Sequence, residues 1–368
     1  MMHATTTGKD GLRVLITAAS AVIIIAGLQA GQDIILPIIL ASFLAVISYP
    51  VTQFLRDKCR LPHWLSVLLT VVIDFGFLTG IGFLVNYLAK DLTTIVITKY
   101  NVVLQEKFAE IIDFLRRHDL DTQASKVMEV LTEMLDGKRI VDWSTMLMSK
   151  AATILTVTTL VLILMTFFLG EAPRFRSNIR KMAQANSPGV IQFTKTLAGI
   201  QKYLVIKTFI SILTGICAWI LCASVGVDLP LLWAIVAFAL NYIPTFGSIV
   251  AAVPPIMLAA LTLGTTDTFI VAGGYLGMNM LLGQVLEPML LGKQFGIATS
   301  VVLLSVVFWG WMWGPLGMLL AVPISMLLKL GLESSDDLRW IAHIIDNPPK
   351  ARKLPRLQDL PPTIKKRT

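Results

Sequence analysis

Residues 151–170 read AATILTVTTLVLILMTFFLG, an apolar run of twenty residues without a charged side chain. A helix needs about 20 apolar residues to cross roughly 30 Å of hydrocarbon, so this run has the length and composition of a membrane span. Similar runs lie on both sides of it, at roughly 12–29, 34–50, 64–88, 205–225, 229–262, 268–286 and 298–328. None shows the sustained alternation of a membrane β-strand. The sequence therefore predicts an all-α, polytopic membrane protein with about eight transmembrane helices.

The composition agrees with this interpretation, because 55% of the 368 residues are hydrophobic and only 15% are charged. The net charge of +8 would suggest nucleic acid in a soluble protein, but here the position of the charges matters more. Residues 350–368 hold seven basic residues among several prolines, which is typical of an extended tail at anionic headgroups. We expect membrane lipid as a partner and no nucleic acid.

The positions of the basic residues also predict which side of the membrane each loop faces. Arg56, Lys58 and Arg60 follow the second apolar run, and six basic residues follow the fourth, whereas residues 31–33 and 226–228 carry none. By the positive-inside rule, both termini are predicted to be cytoplasmic in a bacterial inner membrane. The first run resembles a secretory signal, but we interpret it as a retained helix because a second run follows almost at once.

The runs divide the chain into segments. Residues 1–88 hold the first three predicted spans, 151–170 the fourth and 205–330 the last four, while 331–368 form the basic, proline-rich tail. Residues 89–150 hold nine Lys/Arg and ten Asp/Glu with apolar residues at helical spacing, which predicts an extramembrane amphipathic helical insert. An assembly hairpin is the favoured role for this insert, and a substrate-gathering vestibule is the alternative. Residues 171–204 are predicted to be a cytoplasmic amphipathic connector.

Two late runs are interrupted. The first contains NYIPTFGS at 241–248 and the second WGWMWGPLG at 309–317. Proline and glycine free backbone polar groups that lipid cannot satisfy, so these breaks belong inside the bundle, where unwound backbone can contact a solute. Proline kinks that only tune packing are the alternative, and each run can cross once or dip as a re-entrant hairpin. The predicted substrate pathway comprises Asn241, Tyr242, Pro244, Thr245, Gly247, Asn279, Gln284, Trp309, Trp311, Trp313, Pro315 and Gly317.

Two carboxylates lie in or at the end of apolar runs, where an ionised group is costly unless it is paired, protonated or facing water. Glu287, followed by Pro288, and Asp74 are therefore candidates for ion or proton coupling or for gating. Lys293 is the nearest sequence-local partner for Glu287, and Lys207 is expected to snorkel without a role. A boundary salt bridge at Glu287 and a protonated, inert Asp74 are the alternatives.

The late motifs resemble the AI-2E family of bacterial transporters. The resemblance rests on residues 241–254, on 279–292 and on the closing motif at 309–323, and it extends to the span count and the charged insert. It implies an eight-span inner-membrane homo-oligomer, plausibly a pentamer, that exports a small polar signal molecule or exchanges sodium or lithium for protons. The family motif carries over onto Asn241, Pro244, Gly247, Glu287, Pro288, Gly292, Gly314, Pro315, Gly317 and Pro323.

Absent sequence motifs narrow the function. No phosphate-binding Gly-x-x-x-x-Gly-Lys-Ser/Thr loop occurs, so transport would be gradient-driven or passive rather than ATP-driven. The four histidines lie outside the apolar runs, and no hydrolase motif is present. We therefore expect no enzyme activity, no cofactor and no metal site. Export of an autoinducer-2-like solute is the favoured hypothesis, and sodium(lithium)/proton antiport is the alternative.

Overall fold

The computed structural model describes residues 7–95, 109, 117, 137–184, 188–291 and 298–333. Within these ranges the chain forms helices and turns, and no strand occurs. Most of the predicted insert, the tail beyond residue 333 and the motif glycine Gly292 lie outside the described residues.

The helices follow the apolar runs. Their bounds are α1 Thr7–Ala30, α2 Gln32–Asp57, α3 His63–Ile95, α4 Gly137–Gln184, α5 Pro188–Val225, α6 Pro230–Leu240, α7 Phe246–Thr262, α8 Thr265–Met278, a π-helix Asn279–Leu286, α9 Glu287–Leu291 and α10 Thr299–Glu333. Among the described residues, six helical segments are long and apolar enough to cross a membrane when α10 is counted as one piece, and three shorter apolar helices accompany them. The predicted all-α membrane fold is confirmed.

The predicted connector contains the end of α4 and the beginning of α5. Helix α4 runs on to Gln184 and α5 begins at Pro188. With 48 residues, α4 is about 70 Å long, more than twice the hydrocarbon thickness. Both helices therefore extend well beyond the membrane.

Helices α2, α3 and α4 pack through small and apolar side chains. Ala41 and Ala45 of α2 share one buried cluster with Val67 of α3 and with Met165 and Leu169 of α4. Small residues let helix backbones approach closely in lipid, where apolar burial alone does not favour helix association. This packing forms the N-terminal part of the bundle.

The first interrupted run folds back on itself as a hairpin of α6 and α7. Ser248 donates a hydrogen bond to Asn241 across the turn, at 3.3 Å. A Cβ atom at Gly247 would collide with the carbonyl oxygen of Leu240, seven residues earlier. Residues that far apart on a straight helix are separated by about 10 Å, so only a reversal of the chain brings them together.

The second interrupted run, α10, reverses in the same way. Its break is at Gly314, where φ is 65° and ψ is −151°. A Cβ atom at Gly317 would collide with the carbonyl oxygen of Trp309. The hydroxyl of Ser325 donates to that of Ser305 at 2.9 Å, although a straight helix would separate these residues by about 30 Å.

Both interrupted runs are therefore helical hairpins rather than single crossings. In the first, α6 has 11 residues and is about 16 Å long. In the second, residues 299–313 are about 22 Å long. The first arm of each hairpin is therefore shorter than the roughly 30 Å of hydrocarbon. This is the geometry of a re-entrant hairpin.

We expect Gly247→Ala and Gly317→Ala to lower the thermal unfolding midpoint of the detergent-purified protein. At both positions the new methyl group meets a backbone oxygen, and overpacking of this kind costs about 1–3 kcal/mol or more. Unfolding is followed by tryptophan fluorescence.

Gly273→Ala is the matched control, because a Cβ atom there has open space around it in the same type of helix. It should leave the midpoint unchanged or raise it. Equal midpoints for all three variants would contradict the hairpin geometry.

Candidate functional site

Helix α5 carries a polar stripe within an apolar helix. Lys207, Ser211 and Thr214 are spaced three and four residues apart, so they lie on one face, and Thr208 is adjacent. Lys207, Ser211 and Thr214 are buried. Buried polar groups need partners, so this stripe marks where other polar elements dock on α5. Sequence reasoning missed the stripe, although its helical spacing was visible.

The break of the first hairpin docks on this stripe through side-chain hydrogen bonds. The Asn241 amide nitrogen donates to the Ser211 hydroxyl at 3.0 Å. The Tyr242 hydroxyl donates to that of Thr208 at 2.8 Å. Asn241 also accepts the hydrogen bond from Ser248 across the hairpin. The unwound turn is thus held against α5 by side-chain hydrogen bonds, while Thr245 and Phe246 at its tip are exposed.

An ion pair continues the stripe. The Lys207 ammonium lies 2.9 Å and 2.8 Å from the two carboxylate oxygens of Glu287, at the start of α9. Only 4% of the Lys207 side chain and 16% of the Glu287 side chain are exposed. Tyr203, one turn before Lys207, lies within electrostatic reach of Glu287.

The pair corrects one expectation from the sequence. Lys207 does not snorkel to the membrane surface, because its ammonium group ends on the largely buried carboxylate of Glu287. Lys293, the sequence-local partner predicted for Glu287, lies outside the described residues. Lys207 and Glu287 are 80 positions apart, so only the packing of α9 against α5 reveals the pair.

A small polar cleft opens next to the first hairpin. Thr214 of α5, Asn241 and Ser248 of the hairpin, and Asn279 and Gly283 of the π-helix line it together with apolar side chains. It has room for about one water molecule in this conformation. The structure thus brings together two residues of the predicted pathway, Asn241 and Asn279.

Two hydroxyl groups that line the cleft can accept hydrogen bonds. The Thr214 hydroxyl donates its proton to the carbonyl oxygen of Ile210 at 2.8 Å. The Ser248 hydroxyl donates its proton to Asn241. Both oxygens keep lone pairs, so the site suits a ligand that donates hydrogen bonds.

The tryptophans of the predicted pathway lie elsewhere. The Trp309 indole donates to Ser325 within the second hairpin at 3.3 Å, and the Trp313 indole donates to the carbonyl oxygen of Leu28 on α1 at 3.2 Å. Trp311 is 62% exposed. None of the residues that line the cleft comes from the second hairpin.

The remaining predicted residues divide between the turns and the surface. Pro244 and Thr245 form the first turn, where Thr245 has a φ of 64°. Pro315 follows the second break directly, and Gly317 packs against a carbonyl oxygen as described above. Gln284 and Pro288 are exposed, and neither lines the cleft.

Asp74 lies apart from the cleft. It belongs to α3 and is hydrogen-bonded by Ser48 of α2. Its Oδ2 atom is buried and has no hydrogen-bond partner among the described residues. The two predicted coupling carboxylates thus have different partners, Ser48 for Asp74 and Lys207 for Glu287.

Comparison with known proteins decides the family. The model of the AI-2E family transporter matches residues 18–335. The chain belongs to the AI-2E transporter family. All residues of the stripe, the cleft and the ion pair lie within the matched part of this AI-2E transporter.

Three relatives are similar over nearly their whole length. A putative transport protein of Haemophilus influenzae is 36% identical over 329 residues, which cover 88% of this chain and 93% of that protein. The AI-2 transport protein TqsA of Escherichia coli is 32% identical over 342 residues, 92% of this chain and 96% of TqsA. The putative transport protein YhhT of Escherichia coli is 31% identical over 330 residues, 89% and 92% of the two chains.

We expect Lys207→Met and Glu287→Gln each to lower the thermal unfolding midpoint of this AI-2E transporter. Removing one partner leaves a buried polar or charged group unpaired, which costs about 3–5 kcal/mol. The double variant Lys207→Met/Glu287→Leu should unfold at a higher temperature than Lys207→Met alone, because it removes the unpaired charge.

Lys329 and Glu333 provide the control, since they form a longer pair of 3.6 Å within one helix. Lys329→Met should change the midpoint much less, because its contact is longer and Glu333 keeps the hydrogen bond that it accepts from Gln192 at 2.9 Å. Equal effects of Lys207→Met and Lys329→Met would contradict a structural role for the buried pair.

Proposed function

We propose that this transporter exports a small polar solute of the autoinducer-2 type across the bacterial inner membrane, passively or along a gradient. The observation that carries the proposal is the cleft between α5, the first hairpin and the π-helix, where two hydroxyl groups can accept hydrogen bonds. A solute with several hydroxyl groups donates the hydrogen bonds that Thr214 and Ser248 accept. The similarity to TqsA, which is named an AI-2 transport protein, supports the same class of solute.

Passage of such a solute requires movement, because the cleft admits about one water molecule. The hydrogen bonds from Asn241 to Ser211 and from Tyr242 to Thr208 join neutral groups, and each contributes about 0.5–1.5 kcal/mol. The turn of the first hairpin can therefore move away from α5 at modest cost and widen the cleft, while its arms stay packed in the apolar cluster with Ala218 and Cys222 of α5. The ion pair between Lys207 and Glu287 would hold α9 to α5 meanwhile.

Sodium(lithium)/proton antiport is the alternative, and the ion pair weighs against it. Glu287 is neutralised by Lys207 at 2.8 Å, so its carboxylate is a poor cation ligand in this conformation. Asp74 does not line the cleft. Export therefore has the stronger support.

The same proposal covers location and assembly. The basic residues after the second and fourth spans support cytoplasmic termini in the inner membrane. A homo-oligomer, with a pentamer suspected from the family resemblance, is the expected assembly. No enzyme activity, cofactor or nucleic-acid partner is part of the proposal.

Flux in proteoliposomes tests the proposal. Purified protein is reconstituted, and efflux of an autoinducer-2-type solute is followed beside internal pH, with and without a sodium gradient. Thr214→Val removes one cleft acceptor, so we expect flux to fall about tenfold, as for the loss of one buried hydrogen bond.

Thr166→Val is the matched control, because the Thr166 hydroxyl makes the same backbone bond, to Leu162 at 2.8 Å, away from the cleft. It should transport like the wild type. Sodium-dependent proton movement without solute flux would overturn export in favour of antiport, and equal flux in both variants would remove the cleft from the pathway.

A further inference from the structure

Helices α2, α3 and α4 meet at one end of the bundle. The His63 imidazole at the start of α3 hydrogen-bonds the carbonyl oxygen of Gly170 in α4, at 3.2 Å. The Arg176 guanidinium of α4 donates to the hydroxyl of Tyr49 in α2 at 3.2 Å and lies 5.9 Å from the centre of its ring. These contacts bring together two basic segments that are distant in sequence.

We call residues 56–60 and 171–181 together the basic corner. It holds seven basic residues and two acidic ones, Asp57 and Glu171. Arg56 pairs with Asp57 at 3.0 Å, which offsets one positive charge. The side chains of five further basic residues are exposed: Lys58, Arg60, Arg174, Arg180 and Lys181. The corner thus presents a surplus of positive charge.

An exposed tryptophan places the basic corner at the membrane surface. Trp64 at the start of α3 is 67% exposed, and Phe54 of α2 and Phe175 of α4 add exposed apolar surface. Tryptophan side chains at the ends of membrane spans lie at headgroup level. The positive charges therefore face the headgroup layer.

The geometry points to a binding site for the headgroup of an anionic phospholipid at the basic corner. Arginine guanidinium groups form paired hydrogen bonds with phosphate oxygens, and basic pockets between membrane helices bind anionic headgroups. Exposed apolar side chains of α3, such as Leu68 and Val72, continue from the corner into the membrane and can contact the acyl chains. This site is independent of the transported solute.

The test measures lipid-dependent stability of the full chain in a neutral detergent. Phosphatidylglycerol is titrated into the protein, and the thermal unfolding midpoint is followed. We expect a saturable rise for the wild type. For Arg174→Gln/Arg180→Gln, the half-saturating concentration should increase about thirtyfold, since each of the two basic groups near a headgroup adds roughly 1 kcal/mol.

Lys90→Gln/Lys195→Gln is the control, because it removes the same charge from exposed positions outside the basic corner. It should respond like the wild type. Lys181→Gln alone provides a milder variant and should show a smaller increase, and each variant's midpoint without lipid reports whether it is folded.

Three outcomes would overturn the site. These are an unchanged half-saturating concentration in both corner variants, an equal rise with zwitterionic phosphatidylcholine, and an equal rise with inorganic phosphate at the same concentration. The last outcome would indicate a site for a free anion. Because unfolding and not flux is measured, failure here is distinguishable from failure of the export proposal.

Discussion

The need to satisfy every backbone polar group inside the membrane shapes the C-terminal half of this transporter. A helix meets this need by its own hydrogen bonds, but a chain that reverses direction within hydrocarbon does not. Both reversals are therefore anchored on other helices. At the first, Asn241 and Tyr242 bind α5; at the second, Trp313 binds the backbone of α1. The arrangement of α1, α5 and the π-helix around the hairpins follows from this constraint.

The two hairpins share one packing feature and differ in their surroundings. In each, a glycine packs on a carbonyl oxygen of the opposite arm, which lets the arms approach closely. The arms of the first hairpin pack on α5 in an apolar cluster that includes Cys222 and Trp233, and its turn adds neutral hydrogen bonds beside a cleft. In the second hairpin, Trp309 and Trp313 pack in an apolar cluster with Phe43 of α2. Polar contacts that water or a solute can replace make the turn of the first hairpin the part suited to movement.

The sequence alone predicted those features that depend on neighbouring residues in the chain. The apolar runs predicted the helices, and their glycines and prolines located both breaks, because chain reversals demand these residues wherever they occur. Asn241, Asn279 and Glu287 were identified because polar residues stand out in apolar runs. The partner of Glu287 and the fate of the tryptophans depend on how distant helices pack. From the sequence, Lys207 was therefore predicted to lie at the membrane boundary and Trp309 to line the substrate pathway.

The ion pair between Lys207 and Glu287 also bears on the electrical properties of the protein. A unit charge that crosses a potential of 100 mV gains or loses about 2.3 kcal/mol. The ammonium and the carboxylate cancel at 2.8 Å, so a movement that carries them together transfers no net charge. The membrane voltage neither drives nor resists such a movement, and the rearrangement of these helices is electrically silent as long as the two side chains stay paired.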